Sequence, residues 1–230
     1  MREIVLDTET TGFEPEQGDR IVEIGCVELL NHMPTGRTYH QYIDPKRAMP
    51  EDAFKVHGLG DDFLRGKPVF AAIADDFLKF VGDSKLVIHN AAFDMKFLNA
   101  ELRWLNKRQI PWELAIDTLA IARKKFPGSP ASLDALCRRF NINNTARTLH
   151  GALLDSEILA EVYLELIGGR QPDLIMGQSQ SQTSGSETKS AWRAMPRPKP
   201  LPARLTDDEV AAHDVFVGTL GGAPLWRKPL

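Results

Sequence analysis

The sequence predicts an α/β domain over residues 1 to about 170, followed by a flexible C-terminal tail, and three observations predict it. Short apolar, β-branched runs alternate with stretches of helical period, the pattern of strands and helices packed in layers. Past Gly168-Gly169 the apolar pattern stops abruptly. A length of 230 residues suits one well-buried domain with an appendage, whereas a second full domain would be cramped. Hydrophobic residues make up 43% and charged residues 26% of the chain, which excludes a fibrous chain or one disordered throughout.

The elements follow in order. Ile4 to Leu6 and Ile21 to Leu30 read as strands, Thr38 to Ile43 as a third, with Gly12 and Gly18 punctuating the first connection. From Phe70 the period changes, and Phe70, Ile73, Phe77, Phe80 and Val81 fall on one helical face. Leu86-Val87-Ile88 reads as a buried strand, followed by a helix with Phe93, Phe97, Leu98, Leu102 and Leu105 inward. Ser132 is placed to cap a helix carrying Leu133, Leu136, Cys137 and Phe140, and Leu154, Ile158, Val162 and Leu166 mark another. Beyond it, Gln178 to Ser190 is rich in Ser, Gln and Thr, and Pro196 to Pro202 holds four prolines, a composition that cannot bury a core. Thr206-Asp207-Asp208-Glu209 then has the form of a helix capping box. A lone helix of that length is marginal in water, so it is expected to fold on a partner. The expected divisions are residues 1–170, 171–204 and 205–230.

An apolar run of only three residues, Ile4 to Leu6, precedes Asp7, too few for a signal peptide, and no apolar run approaches the roughly 20 residues that span a bilayer, so the expected location is cytoplasmic. Cys26 and Cys137 form no CxxC pair and read as small buried apolar residues, which gives zinc no support.

Chemistry concentrates in three places. Asp7 and Glu9 end the first strand two residues apart; strand side chains alternate faces, so both project from one side and can share a hard cation such as Mg²⁺ or Mn²⁺. A solvated strand end accounts for them equally well. Asp94 falls in the first turn of the helix after Leu86-Val87-Ile88, where the helix dipole alone favours an acid, and Asn90 reads as that helix's cap. His150 and Asp155 could not share a face of one continuous helix, because five residues turn through about 140°. Gly151 is expected to let His150 sit in a loop and turn toward the acid. Taken singly, His150 suits a surface position and Asp155 an ordinary first turn.

Taken jointly, Asp7-x-Glu9, then Asp94 within His89-Asn90-x-x-Phe93-Asp94, then His150-x-Ala152-x-x-Asp155 resemble the DEDDh exonuclease superfamily. The longer strings Val5 to Gly12, Leu86 to Asp94, Ser132 to Cys137 and Arg147 to Tyr163 are similar to the epsilon-type proofreading subunits of bacterial DNA polymerase III, over residues 1 to about 170. The resemblance implies a ribonuclease-H-like exonuclease domain, a mixed central sheet flanked by helices. It implies 3′–5′ hydrolysis of the terminal phosphodiester of mispaired primer ends, releasing 5′-mononucleotides with two divalent cations, Mg²⁺ or Mn²⁺. It assigns Asp7, Glu9, Asp94 and Asp155 to the metals, with Asp7 bridging. It makes His150 the general base that takes the proton from the attacking water, a role suited to an imidazole. Asp52 and His57, in a stretch similar to one that contacts the terminal nucleotide, join Asp7, Glu9 and Asp155 as substrate-binding candidates; a helix cap and a surface histidine are their plainer reading. Asp117 resembles a family acid but equally suits a helix start, and it is left out of the site.

In the tail, Gln171-Pro172-Asp173-Leu174-Ile175-Met176 looks like a sliding-clamp-binding peptide. Residues 205–230, with Pro224-Leu225-Trp226-Arg227, resemble the region that binds the polymerase III alpha subunit, and a small theta-like subunit on the catalytic domain is a further expected partner. A flexible linker of roughly 28 residues spans on the order of 30 Å, enough to hold a nuclease near a primer end. The formal net charge of −3 fits that arrangement, since a chain without a basic surface needs cations, local end contacts or partners to engage DNA. A stand-alone exoribonuclease and a non-catalytic adaptor are the rival readings.

Overall fold

The computed structural model describes residues 1–145, 147, 149–169 and 205–220, and the chain divides between Met176 and Gly177 into two units, each considered by itself. The first is built on one five-stranded sheet in the order β3-β2-β1-β4-β5, with β1 at Arg2–Thr10, β2 at Ile21–Leu30, β3 at Met33–Tyr42, β4 at Lys85–Ile88 and β5 at Ala115–Asp117. β1–β2 and β2–β3 pair antiparallel, while β1–β4 and β4–β5 pair parallel, so the sheet is mixed as expected. The helices of this unit are α1 (Glu51–His57), α2 (Asp61–Leu64), α3 (Phe70–Val81), α4 (Ala91–Trp104), α5 (Thr118–Lys125), α6 (Leu133–Phe140) and α7 (Ala152–Leu166).

Ile4, Val5 and Leu6 have no solvent exposure, because apolar groups leave both faces of β1 at once and each face is covered. Ile4 and Leu6 enter one core with Phe77 of α3 and Phe97 of α4. Val5 enters a second core with Leu136 of α6 and Val162 of α7. The expected inward faces hold, with Phe80, Phe93, Leu105, Phe140 and Leu154 only half-buried at the edges. Cys26 and Cys137 are buried free thiols, one in each core.

The third strand begins at Met33, five residues before Thr38, where it was expected. Asn31 and His32 take positive φ of 51° and 66° and return the chain as a two-residue hairpin, pairing Met33 with Leu30. Met33 to Arg37 carries no apolar alternation because it lies on the exposed sheet edge, so periodicity could not reveal it.

Gly25 decides how α7 meets the sheet. It lies opposite Asp7 in the β1–β2 register. A Cβ on Gly25 would come within 2.2 Å of the Ala152 carbonyl carbon and the Leu153 nitrogen, so only hydrogen at that position lets α7 lie down on β2. The Ser156 hydroxyl donates to the Gly25 carbonyl at 2.9 Å, and the Tyr163 hydroxyl donates to Glu3 at 2.8 Å, pinning the helix at two points along the sheet. Gly25→Ala is therefore expected to destabilise the fold by at least ~1–3 kcal/mol, the range for overpacking a core, read as a lowered urea midpoint.

The described part of the second unit is α8 (Asp207–Thr219). The capping box is present: Thr206 Oγ1 accepts from the Glu209 nitrogen at 3.3 Å, and the Glu209 carboxylate accepts from the Thr206 nitrogen at 2.8 Å. Val215 and Phe216 are exposed on it.

Candidate active site

Four separated segments supply the site, and the two faces of β1 explain how they meet. Asp94, in the first turn of α4, is buried and accepts from both the Thr8 nitrogen at 3.0 Å and the Thr8 hydroxyl at 2.7 Å, which locks it to the strand. Asp155, in the first turn of α7, arrives over the Val5 face through the close approach at Gly25 and is also buried. Asp7 is only partly covered, and Glu9 is buried beside it. Ligand atoms of Glu9, His150 and Asp155 lie within 4.8 Å of one another, a group that does not include Asp7 or Asp94. Its two carboxylates are the oxygen donors that hard divalent cations prefer.

His150 lies outside any helix, as expected, but for another reason than Gly151. That glycine has an extended backbone (φ −154°) which any residue adopts, and a Cβ there would meet open space. His150 is held instead by its own nitrogen, which donates to the Val56 carbonyl at 3.1 Å, and by Arg147. The Arg147 guanidinium, its side chain only 9% exposed, donates through Nε to Asp155 Oδ1, through Nη2 to Asp155 Oδ2 at 2.8 Å, and through Nη1 to Asp134 at 2.9 Å. Its Nη2 also lies 2.8 Å from His150 Nδ1, closer than the 3.5 Å from that nitrogen to Asp155. A guanidinium cannot accept, so this contact is a hydrogen bond only in the tautomer that leaves Nδ1 free to accept.

Crowding of acids shifts their protonation. Burial raises Glu9 to about 8, with Asp155, Glu23 and Asp94 adding to it. Asp94 is raised by burial to about 7 against the opposing bonds from Thr8. Asp7 is raised by burial first, then by Asp94, Glu9 and Asp155. For Asp155, burial also acts upward, but the neighbouring His150 and Arg147 outweigh it and leave the carboxyl below its ordinary value. Burial pushes the Cys26 thiol far up, in keeping with an inert apolar role. An acid whose folded pKa exceeds its unfolded one retains protons that the unfolded chain has lost, so stability falls as pH rises between the two. For Glu9 that window runs from 4.5 to about 8. Asp155 acts in the opposite sense, at pH values below that window. Melting of the metal-free protein is therefore expected to move to lower temperature from pH 5 to 8. Saturating divalent cation should abolish most of that fall, since it binds the deprotonated carboxylates. Melts in chelator and in Mn²⁺ across this range check it.

Two cavities adjoin the carboxylates. One of about 440 Å³ is lined by Asp7, His89, Arg123, Arg147, His150 and Asp155 among others. The second, about 490 Å³, is lined by Glu9, Phe13, Asp52, His57 and Phe93 among others. His57 is buried, which corrects the surface-histidine alternative. Its Nδ1 accepts from the Leu59 nitrogen at 3.0 Å, and its Nε2 is buried without a partner. Asp52 stands fully exposed in the first turn of α1, at the cavity wall, and makes no side-chain cap bond. Asn90 occupies the N-cap position of α4, but at φ 68° with no side-chain cap bond, so its capping is by backbone shape alone. Asp117 does cap α5, accepting from the Leu119 and Ala120 nitrogens, as its helix-start reading expects. Ser132 caps α6 as expected.

Sequence reasoning missed Arg147 as a member of the site, and Thr8 and Gly25 as the residues that position Asp94 and Asp155. An isolated glycine inside an apolar strand was the one available signal. The expected clamp peptide at Gln171–Met176, the linker and the segment around Trp226 lie outside the described residues.

The family described as exonuclease (RNase T) matches residues 4–163. The chain is 50% identical over 223 residues to the protein named DNA polymerase III subunit epsilon of Rickettsia felis, covering 96% of this chain and 97% of that one. It is 45% identical over 237 residues to the protein of the same name in Escherichia coli K12, covering 98% and 97%. Among solved structures it is similar to exonuclease X in complex with 5′ overhanging duplex DNA, at 27% identity and TM-score 0.56 over 72% of this chain and 90% of that one. In fold alone it is similar to the nuclease domain of 3′hExo, a DEDDh family member bound to rAMP, at 21% identity and TM-score 0.62 over 72% and 91%.

Proposed function

The chain belongs to the exonuclease family, and from that premise we propose that it clears mispaired primer ends as the proofreading subunit of a replicative DNA polymerase III. It is a metal-dependent 3′–5′ exonuclease with a ribonuclease-H-like fold. The single observation that supports the assignment of its site is the crowding of Asp7, Glu9, Asp94 and Asp155 near one end of β1, with His150 within 4.8 Å of Glu9 and Asp155.

In this proposal Asp7, Glu9, Asp94 and Asp155 would hold two cations, Mg²⁺ or Mn²⁺, with Asp7 contributing to both. Cations held there would supply neutralising charge for the reacting phosphate, a more acidic attacking water and help for the departing 3′ oxygen. Oxygen donors suffice for hard cations, which leaves the His150 imidazole to accept the proton of the water. The unpartnered Nε2 of His57 supports a substrate contact in the adjoining cavity, where a terminal nucleotide would supply the missing acceptor and Asp52 would stand at the wall. No helix among the described residues is long and apolar enough to cross a membrane. Cytoplasmic action on DNA is part of the same proposal.

Residues 1–170 are the catalytic domain in this scheme, 171–204 the clamp-binding peptide and linker, and 205–230 the segment that engages the polymerase alpha subunit. Exposed Val215 and Phe216 on α8 support the last assignment, because a well-capped helix presenting apolar side chains to solvent lacks its packing partner. A theta-like subunit on residues 1–170 belongs to the same proposal.

The test is Mn²⁺- or Mg²⁺-dependent release of mononucleotides from a 3′-labelled single-stranded DNA, run beside a matched RNA. Stepwise loss from the DNA's 3′ end supports the proposal. Preference for RNA would favour the exoribonuclease, and no release by folded protein would favour an adaptor.

A further inference from the structure

We propose that Arg147 is an internal counter-ion that closes the metal site, and that cation loading transfers its guanidinium from Asp155 to Asp134. The inference rests on the metal-site assignment above and adds to it the residue that competes with the cation. Three observations support it. First, Arg147 engages both oxygens of Asp155, leaving that carboxylate without an uncommitted oxygen. Among the described residues no other lysine or arginine pairs with any of the four carboxylates. Its positive charge also acts on Asp7 and Glu9, so one guanidinium offsets the crowding of the whole cluster. Second, a guanidinium and a divalent cation on one carboxylate repel each other, and the fixed fork of Arg147 cannot stay bidentate while Asp155 ligates. Third, the receiving group is already in contact: Asp134 on α6 accepts from Nη1 at 2.9 Å and has a side chain 45% exposed, where charge is readily solvated. Asn144 donates to the same Asp134 oxygen at 2.9 Å and holds it in place.

The same movement would act on the base. Arg147 Nη2 lies against His150 Nδ1, and in the tautomer that makes this contact a hydrogen bond Nδ1 carries the ring's available lone pair. While the clasp is closed, the imidazole has no free acceptor for a proton from water. Departure of Arg147 releases Asp155 and His150 together, so the base becomes competent only when the site is loaded. Arg147 is a positioning residue in this scheme, acting through Asp155 and His150.

Calorimetric titration of the metal-free full chain with Mn²⁺, paired with melting in chelator and in saturating Mn²⁺, tests this on the native protein, Arg147→Met and Asp134→Asn. Arg147→Met should bind Mn²⁺ about tenfold more tightly, the equivalent of one charged hydrogen bond no longer to be broken. It should melt below native in chelator, where the acids face one another without a counter-charge, and level with native in Mn²⁺. Asp134→Asn, a change at a half-exposed side chain, should weaken Mn²⁺ binding severalfold by removing the receiving group. Unchanged or weaker Mn²⁺ binding by Arg147→Met, or a melting deficit equal in both conditions, would make Arg147 a structural clasp and overturn the proposal. If Arg147→Met does not fold, unchanged affinity in Asp134→Asn overturns it alone. Failure of the native chain to bind Mn²⁺ would remove the metal-site assignment itself, a result distinct from a native chain that binds and variants that do not differ from it.

Discussion

Replacing Asp7 by alanine is expected to abolish stepwise 3′ degradation, lowering turnover by at least about 10³-fold, with metal binding lost in parallel. Removing even one neutral group that stabilises transition-state charge typically costs about 10²–10³. Asp7 is more than that, since it stands among Glu9, Asp94 and Asp155 and lines the cavity that also holds His150. In the proposed site Asp7 serves both cations, so its deletion should lower kcat and Mn²⁺ affinity together. The fold should survive: the apolar packing of β1 lies in Ile4, Val5 and Leu6, and removing one acid from the cluster relieves repulsion in the metal-free chain. Nucleotide release from 3′-labelled DNA, calorimetric Mn²⁺ binding and a melt measure the three quantities. An Asp7→Ala protein that binds Mn²⁺ normally would displace Asp7 from the bridging position.

His150→Gln should separate what Asp7→Ala joins. Loss of a positioned proton acceptor lowers turnover by about 10²–10⁴, while glutamine, similar in reach and uncharged, leaves the four carboxylates in place. Mn²⁺ affinity is expected to stay within a fewfold of native. The half-exposed His150 is anchored through its backbone nitrogen on Val56, a bond the substitution keeps, so a folding defect is not expected. An equal fall in affinity and turnover would make His150 a metal ligand, which its distances to Glu9 and Asp155 permit geometrically.

Much of the site was legible along the chain because its smallest units are local. Asp7 and Glu9 share a face because strand side chains alternate, and Asp94 and Asp155 fall in first helical turns because the apolar period of 3.6 begins just beside them. The Ser132 cap and the Thr206–Glu209 capping box are likewise contacts within three residues. Each of these geometries is set by neighbours in sequence, and each alone was ambiguous. The exposed first half of β3 shows the limit of periodicity, since an edge strand facing solvent has no apolar face to betray it.

The sequence by itself determined the α/β class, the inward faces of the helices and the five residues proposed to carry the chemistry, because backbone periodicity and the joint motif are properties of the linear chain. Only the tertiary structure decided how they meet. Thr8 bonds Asp94 across 86 residues, and Ser156 bonds Gly25 across 131. The fit of α7 against Gly25 places Asp155 over β1, and the loop between α6 and α7 brings Arg147 onto that acid and His150. Distances between remote residues follow from which surfaces pack without overlap, a property of the whole core that no local period encodes.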